Sequence, residues 1–329
     1  MTVELMIAES ALKPDTLYIP ATEEGIEWCT ERRSSPGKLT FKVLKDDILN
    51  FTEGSPVRLK VDGNEVFYGF VFTKSRNRDN IISVTAYDQL RYLKNKDTYV
   101  YENKTAAELI KMLAADFNLK TGEIEDSKFL IKSRVEDNVS LFEMIENALD
   151  LTLTNTKEMF VMYDDFGKIT LKNISNMKVG NDDEGYLCID NETAENFDYT
   201  SSIDKNTYNK IKLTYENEET SKRDVYIAQH SENMNLWGVL QYYDKLQKGE
   251  SGKAKADALL QLYNKKTREL KVSGAFGDTR VRAGSLLLCR LDLGDVNIKN
   301  FMMVEKVKHT FMLDHHYMDL TLRGGDISG

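Results

Sequence analysis

Residues 54–72 read GSPVRLKVDGNEVFYGFVF, and their order of apolar and polar residues predicts a β-hairpin. The segment Asp62-Gly63-Asn64 is a turn signal, because these residue types tolerate the positive φ angles of tight hairpins. The second strand then runs from Val66 to Phe72. The alternating apolar residues of the first strand are Val57, Leu59 and Val61.

The sequence on either side of this hairpin also has strand periodicity. Leu39, Phe41 and Val43 alternate with polar residues, and a further strand is predicted over Ile81–Tyr87. A single helical turn is expected over 88–93. The first hundred residues therefore predict a small closed or half-closed β-barrel.

The middle of the chain changes to helical periodicity. Two capping boxes, in which Ser or Thr is followed three residues later by Glu, begin at Thr105 and Ser140. Each precedes an apolar stripe with helical spacing. The two predicted helices are expected to pack on a small sheet that includes a hairpin of 159–163 and 169–171.

The last third returns to strand periodicity around a Lys/Ala/Leu-rich helix predicted over Ala254–Leu270. A strand is expected at 211–215 before it. Three strands are predicted after it, at Leu286–Leu293, Phe301–Phe311 and Tyr317–Leu322.

The two β-rich ends of the chain share an order of features. Gly54-Ser55 opens one set and Gly284-Ser285 opens the other. Each pair is followed by a strand, an acidic turn with glycine (Asp62-Gly63; Asp292-Leu293-Gly294), an aromatic-led strand and a last alternating strand. This echo predicts two β-barrels of similar design.

The predicted fold class is therefore α+β and β-rich, with two small β-barrels separated by α/β domains. The predicted boundaries are 1–100 for the N-terminal barrel, 101–205 for the α/β middle domain and 206–329 for the second barrel. That last region contains a helical insertion at about 230–275.

Composition excludes several classes of protein. The 329 residues carry a formal net charge of -9, so no specific nucleic-acid binding is expected. The start of the chain does not resemble a secretory signal, and no apolar run is long enough for membrane insertion. Cys29, Cys188 and Cys289 are far apart in sequence, which favours buried thiols in a reducing compartment.

The cluster His309, Asp314, His315 and His316 is a candidate metal site, because histidine and carboxylate are common metal ligands. However, neighbouring residues on a strand point to opposite faces, and no fourth ligand is indicated. Polar residues near the end of a hairpin are the favoured interpretation.

Other candidate sites are also weak. Residues 249–254 resemble a phosphate-binding loop, but Gln247 occupies the first glycine position and Ala254 replaces the hydroxyl residue, which favours a flexible helix start. Residues 181–185 lack the alternating ligands of a calcium loop and favour a solvated acidic loop. Five aromatic residues could line a ligand groove, but a location in the core or in a subunit interface is favoured for them. They are Trp28, Trp237, Tyr242, Tyr243 and Tyr263. We therefore predict no catalytic, cofactor or metal site.

Six segments resemble the XkdQ/YqbQ family, the hub proteins of PBSX-like contractile phage tails and related R-type bacteriocins. They are residues 53–59, 67–72, 84–93, 198–204, 237–241 and 281–285, in the same order as in the family. The resemblance covers essentially the whole chain.

This resemblance implies a structural baseplate hub similar to the late control protein D and the hub half of VgrG proteins. Such a hub is a homotrimer whose two barrels per chain form a pseudo-sixfold ring, with the N-terminal barrel facing the tail tube. The implied partners are the tail tube protein, the spike protein, the tape measure protein, and other baseplate and LysM-type tail proteins. Assembly would take place in the bacterial cytoplasm, and the chain would become part of the virion or bacteriocin particle. The alternatives are a tail-associated peptidoglycan hydrolase and a monomeric carbohydrate- or receptor-binding module.

Overall fold

The computed structural model describes residues 1–204, 206–217, 222–246, 251–292 and 297–324. Strands make up 53% of the structure and helices 18%, which confirms the β-rich prediction.

The first β block, residues 3–87, contains the hairpin predicted from the sequence. Asp62 and Gly63 form its turn with φ angles of 48° and 78°. A 3-10 helix, Gln89–Lys94, follows the block at the predicted helical turn. The strands are β1 (Val3–Ser10), β2 (Lys13–Tyr18), β3 (Ile26–Glu31), β4 (Lys38–Leu44), β5 (Pro56–Val61), β6 (Asn64–Arg76) and β7 (Ile81–Tyr87).

The middle unit, residues 89–173, has two helices packed on short strands, as predicted. Both capping boxes are present, at Thr105 and Ser140. After that 3-10 helix, its elements are β8 (Lys96–Lys104), α1 (Ala106–Asp116), β9 (Thr121–Ile124), β10 (Ile131–Ser140), α2 (Leu141–Thr156), β11 (Phe160–Asp164) and β12 (Ile169–Asn173).

The described residues after this unit form the second β block, within 188–202 and 267–324, and an inserted unit, within 206–263. A 3-10 helix, Ile174–Asn176, and a short hairpin come first. The elements are β13 (Gly180–Asn181), β14 (Gly185–Tyr186), β15 (Cys188–Asp190), β16 (Asn196–Ser202), β17 (Lys210–Asn217), β18 (Lys222–Gln229), α3 (Ser231–Trp237), β19 (Gln241–Lys245), α4 (Gly252–Tyr263), β20 (Thr267–Phe276), β21 (Leu286–Asp292), β22 (Asn297–Phe311) and β23 (His316–Gly324).

The two β blocks are joined in one sheet, which has 13 strands among the described residues. Its path runs β16-β20-β23-β22-β3-β4-β7-β6-β5-β1-β2, and β21 and β15 branch from β22. The sequence predicted a closed or half-closed barrel, and no closed barrel is formed by the residues that the structure describes. The reason is that β22 pairs with β21 near its start and with β3 of the first block near its end.

The hydrophobic cores divide the chain at positions other than those predicted. Residue 100 lies inside β8, which pairs with β10 of the middle unit. The strands β15 and β16 precede residue 205 but pair with β21 and β20 of the second block. The inserted unit has its own core and begins before residue 230.

The predicted helix over Ala254–Leu270 is too long. Helix α4 ends at Tyr263, and Thr267–Phe276 form strand β20. Leu270 and Val272 of this strand are buried in the second core. They alternate with exposed residues because successive side chains of a strand point to opposite faces of the sheet. The strand is paired on both sides, with β16 and β23.

Candidate functional site

The Gly-Ser pair of the first block forms a tight corner just before β5, where it is hydrogen-bonded across to β6. Gly54 has a φ of 85° and donates its backbone N–H to the Val71 carbonyl at 2.7 Å. The Val71 N–H in turn donates to the Ser55 carbonyl at 2.9 Å. The Ser55 hydroxyl accepts from the Thr52 N–H at 3.0 Å, and the Ser55 side chain is fully buried.

The second block repeats this corner bond for bond. Gly284, with a φ of 91°, donates to the Val304 carbonyl at 2.7 Å, and Val304 donates to the Ser285 carbonyl at 2.9 Å. The Ser285 hydroxyl accepts from the Arg282 N–H at 3.0 Å. The echo in the sequence therefore corresponds to a shared local structure.

The correspondence extends along the strands beyond the corner. In β6 the pairing with β7 shifts register between Val71 and Thr73. In β22 the pairing with β23 shifts at the matching place, between Val304 and Lys306. Residues 73–76 of β6 therefore correspond to residues 306–309 of β22.

The two corners differ in what surrounds their glycines, which gives a testable prediction. A Cβ atom on Gly54 would meet nothing within 4 Å, whereas one on Gly284 would lie 2.5 Å from Cγ1 of the buried Val161. Gly54→Ala should cost about 1 kcal/mol through its positive φ. Gly284→Ala should cost about 2 to 3 kcal/mol because steric overlap is added. Urea unfolding measures both, and equal losses would contradict the packing of this corner on the middle unit.

The two blocks meet at a strand pair that we call the internal seam, residues 26–31 of β3 and 306–311 of β22. Trp28 lies directly opposite His309, and their rings stack with centroids 4.7 Å apart. Both side chains are buried. The seam is therefore part of the core.

Within the internal seam, two glutamates of β3 face two lysines of β22. Just outside the seam the polarity is reversed: the Arg32 guanidinium, next to β3, binds both carboxylate oxygens of Glu305 on β22, at 2.8 and 3.0 Å. The further ion pairs are Lys306–Glu31 at 3.8 Å and Lys308–Glu27 at 3.7 Å.

The middle unit is held against both β blocks by a group of polar residues, of which Asp88 is buried and Asp165 exposed. Asp88 accepts hydrogen bonds from the N–H groups of Gly37 and Leu90, at 2.7 and 3.0 Å. The Arg282 guanidinium donates to the Asp164 carbonyl at 3.2 Å and pairs with the Asp165 carboxylate at 3.2 Å. These contacts link the first block, the middle unit and the second block at one place.

Burial changes the acidity of two carboxyl groups at this joint. It raises the pKa of Asp164 to about 6. Burial, together with the nearby Asp164 carboxylate, raises the pKa of Asp88 well above its usual value. Such shifts also occur at catalytic acids, but here the two groups lie between packed units.

The structure brings two members of the histidine cluster together and separates the others. His309 Nδ1 and His316 Nε2 are 2.9 Å apart, and His309 Nε2 donates to the Val281 carbonyl at 2.9 Å. Both ring nitrogens of His309 are therefore used in hydrogen bonds. His315 stacks on Tyr317, and Asp314 is exposed.

Burial keeps these two histidines neutral. It lowers the pKa of the fully buried His309 to about 3, with a further contribution from His316. It also lowers the pKa of His316 to about 4. Within the described ranges, no group of three or more His, Cys, Asp or Glu side chains could hold a metal ion.

The other candidate segments have local structural roles. Asn181 accepts hydrogen bonds from the N–H groups of Asp183 and Glu184, so residues 181–185 form the turn between β13 and β14. Gln247, Gly249 and Glu250 lie outside the described residues, as do Leu293 and Gly294 of the predicted second acidic turn. Gly252 begins α4, close against the Tyr226 ring.

The aromatic candidates do not form one groove. Tyr242 and Tyr263 stack in the core of the inserted unit, whereas Trp28 lies in the internal seam. Tyr243 is half exposed and shares a 3.0 Å hydrogen bond with Thr214, and Trp237 ends α3. In the part of the chain that the structure covers, no helix is both long and apolar enough to cross a bilayer.

Comparison with known proteins agrees with this architecture. The YqbQ-like family matches residues 26–323. Two proteins of Bacillus subtilis strain 168 are similar over 318 residues, which is 93% of this chain. The uncharacterized protein YqbQ is 29% identical, and the match covers 93% of its length. The phage-like element PBSX protein XkdQ is 26% identical, and the match covers 94% of its length.

A solved structure has the same fold over nearly the whole chain. The 43 kDa tail protein of prophage MuSo2 from Shewanella oneidensis superposes with a TM-score of 0.69 at 12% identity, covering 97% of each chain. The resemblance seen in the sequence is thereby confirmed. The chain belongs to the YqbQ-like family and has the fold of a phage tail protein.

Proposed function

We propose that the chain is a structural baseplate hub of a contractile phage tail or R-type bacteriocin. Three copies form a ring, and each copy contributes two equivalent β blocks. The six blocks seat a sixfold tail tube on one side, while the threefold symmetry of the ring matches the spike on the other. The proposed partners are the tail tube protein, the spike protein and neighbouring baseplate proteins.

The internal seam is the observation that carries this proposal. It joins two blocks that share the same corner and the same register shift, but it uses different strands of each, β3 of one and β22 of the other. When two equivalent units make contact through different surfaces, further units can add through the same contact. The units close a ring when the rotation from one unit to the next divides a full turn. One chain then supplies two consecutive members of a six-membered ring.

The joint around Asp88 and Asp164 bears on the alternative of a peptidoglycan hydrolase. A glycosidase places two carboxyl groups on either side of an open cleft. Here the Asp88 side chain is buried, with both of its oxygens bonded to backbone N–H groups. The geometry therefore favours a joint between units over an acid–base pair.

The proposal predicts that particles depend on the chain. Deleting its gene from a strain that produces the tail should abolish complete particles in electron micrographs, and the intact gene supplied in trans should restore them. Asp164→Asn should restore them equally, and purified particles of this variant should clear cell walls in a turbidity assay as wild-type particles do. Normal particles without the chain, or loss of cell-wall clearing only in the Asp164→Asn particles, would contradict the structural role.

A further inference from the structure

Each β block has two strand edges that can pair with another block. Inside the chain, only one edge of each block takes part in such a pairing. The internal seam uses β3 of the first block and the end of β22 of the second. Their counterparts are β16 in the second block and residues 73–76 of β6 in the first. Among the described residues, β16 pairs only with β20, and residues 73–76 pair only with β7.

The match between β3 and β16 follows from their neighbours. Trp28 lies opposite Leu39 of β4, and Tyr199 lies opposite Leu270 of β20. Leu39 and Leu270 in turn lie opposite Ala86 and Leu322, in the last strands of the two blocks. Tyr199 is therefore the counterpart of Trp28.

The counterpart edges are exposed where the internal seam is buried. Thr73, Lys74, Ser75 and Arg76 are all exposed, whereas Val307 and His309 at the corresponding positions of β22 are buried. On β16, Thr200 and Ser201 are exposed. An open strand edge of this kind is a template for pairing with another chain.

Charge on the two free edges repeats the pattern of the internal seam. Residues 73–78 contain Lys74, Arg76 and Arg78 and no acidic residue. Residues 195–204 contain three acidic residues and no basic one, namely Glu195, Asp198 and Asp204. The free edge of β6 is thus basic and that of β16 acidic, as Lys306 and Lys308 of β22 face Glu31 and Glu27 of β3 within the internal seam, although the adjoining Arg32–Glu305 pair is reversed. Opposite charge favours association of the two free edges and disfavours pairing of like edges.

We infer that residues 73–76 of one copy pair antiparallel with residues 199–202 of the next copy. The register copies the internal seam, in which Lys306 lies opposite Glu31 and Lys308 opposite Cys29. Thr73 therefore lies opposite Ser202, and Ser75 opposite Thr200. Arg76 lies over Tyr199, where His309 stacks on Trp28. This inference rests on the proposed trimer and names the contact that closes it.

Cysteine cross-linking in assembled particles tests the register. Opposed residues of an antiparallel pair have Cα atoms about 4.5 to 5.5 Å apart, which is within disulfide range. The chain with Ser75→Cys and Thr200→Cys should form covalent trimers on mild oxidation, and peptide mapping should find residues 75 and 200 joined. The matched control, Ser75→Cys with Ser201→Cys, also changes two exposed positions but is out of register by one residue.

The outcomes separate this inference from the proposed function. Covalent trimers in the test variant, at least tenfold more abundant than in the control, support the stated contact. Particles with three copies of the chain but no 75–200 linkage, or with equal linkage in the control, overturn the contact and leave the hub role standing. Particles in which the chain is not present in threes overturn both.

Discussion

Replacing Trp28 with alanine should lower the free energy of unfolding by about 3 to 5 kcal/mol, the range for removing a buried aromatic side chain. Trp28 is only 3% exposed and belongs to the first hydrophobic core. It also stacks on His309, so its loss leaves a cavity at the contact between the two β blocks. The internal seam should therefore weaken together with the first core.

Tyr199→Ala is the matched control, because Tyr199 occupies the corresponding position on the open edge of the second block. Its side chain is only partly buried in the unassembled chain, so its removal should cost about 1 kcal/mol. Urea unfolding of the unassembled chain, followed by far-ultraviolet circular dichroism, measures both variants. Equal losses of unfolding free energy in the two variants would contradict the role of Trp28 in the internal seam.

Acid should destabilise the fold through the buried His309–His316 pair. The pKa of His309 is about 3 in the folded chain, against about 6.5 in an unfolded one. The unfolded chain therefore binds a proton that the folded chain does not, over the range between these values. Stability should fall by about 3 kcal/mol between pH 6.5 and pH 4 from His309 alone. The partly exposed His316 adds a smaller loss in the same direction.

The carboxyl groups at the joint act with the opposite sign. Because the pKa of Asp164 is raised to about 6 in the folded chain, protonation of this group stabilises the fold as the pH falls. Asp164→Asn removes that opposing contribution, so the variant should lose stability more steeply than the wild type between pH 6.5 and pH 4. A flat profile in this variant, or a protonated His309 in the NMR spectrum of the folded chain at pH 5.5, would contradict the neutral pair.

Local signals in the sequence predicted the elements whose structure is decided locally. The turn at Asp62-Gly63 has the expected positive φ angles, and the helices after Thr105 and Ser140 have the expected capping boxes. These features depend on residues within a few positions of one another. The repeated Gly-Ser corner was also visible, because the same local hydrogen bonds require the same residue types.

The long-range features could not be predicted in this way. The segment that contains Leu270 and Val272 forms a strand because β16 and β23, which are distant in sequence, pair with it on either side. Its local composition favoured a helix. The pairing of β3 with β22 depends equally on distant segments, and it joins the two β blocks in one shared sheet.

The histidine pair shows what sequence spacing omits. His316 lies opposite Phe311 in the β22–β23 hairpin, so His309, two residues away on the same face, becomes its diagonal neighbour. This register joins His309 to His316 and leaves His315 on the other face. The sequence showed the cluster, but only the strand register shows which members meet.

The number of copies of this chain in a purified tail particle distinguishes a threefold hub from other arrangements. Quantitative mass spectrometry, with isotope-labelled peptides of this chain and of the tail tube protein, gives that number. If two equivalent β blocks per chain match a sixfold tube, each particle contains three copies of the 37.7 kDa chain. Six copies per particle, or one, would rule out the threefold hub.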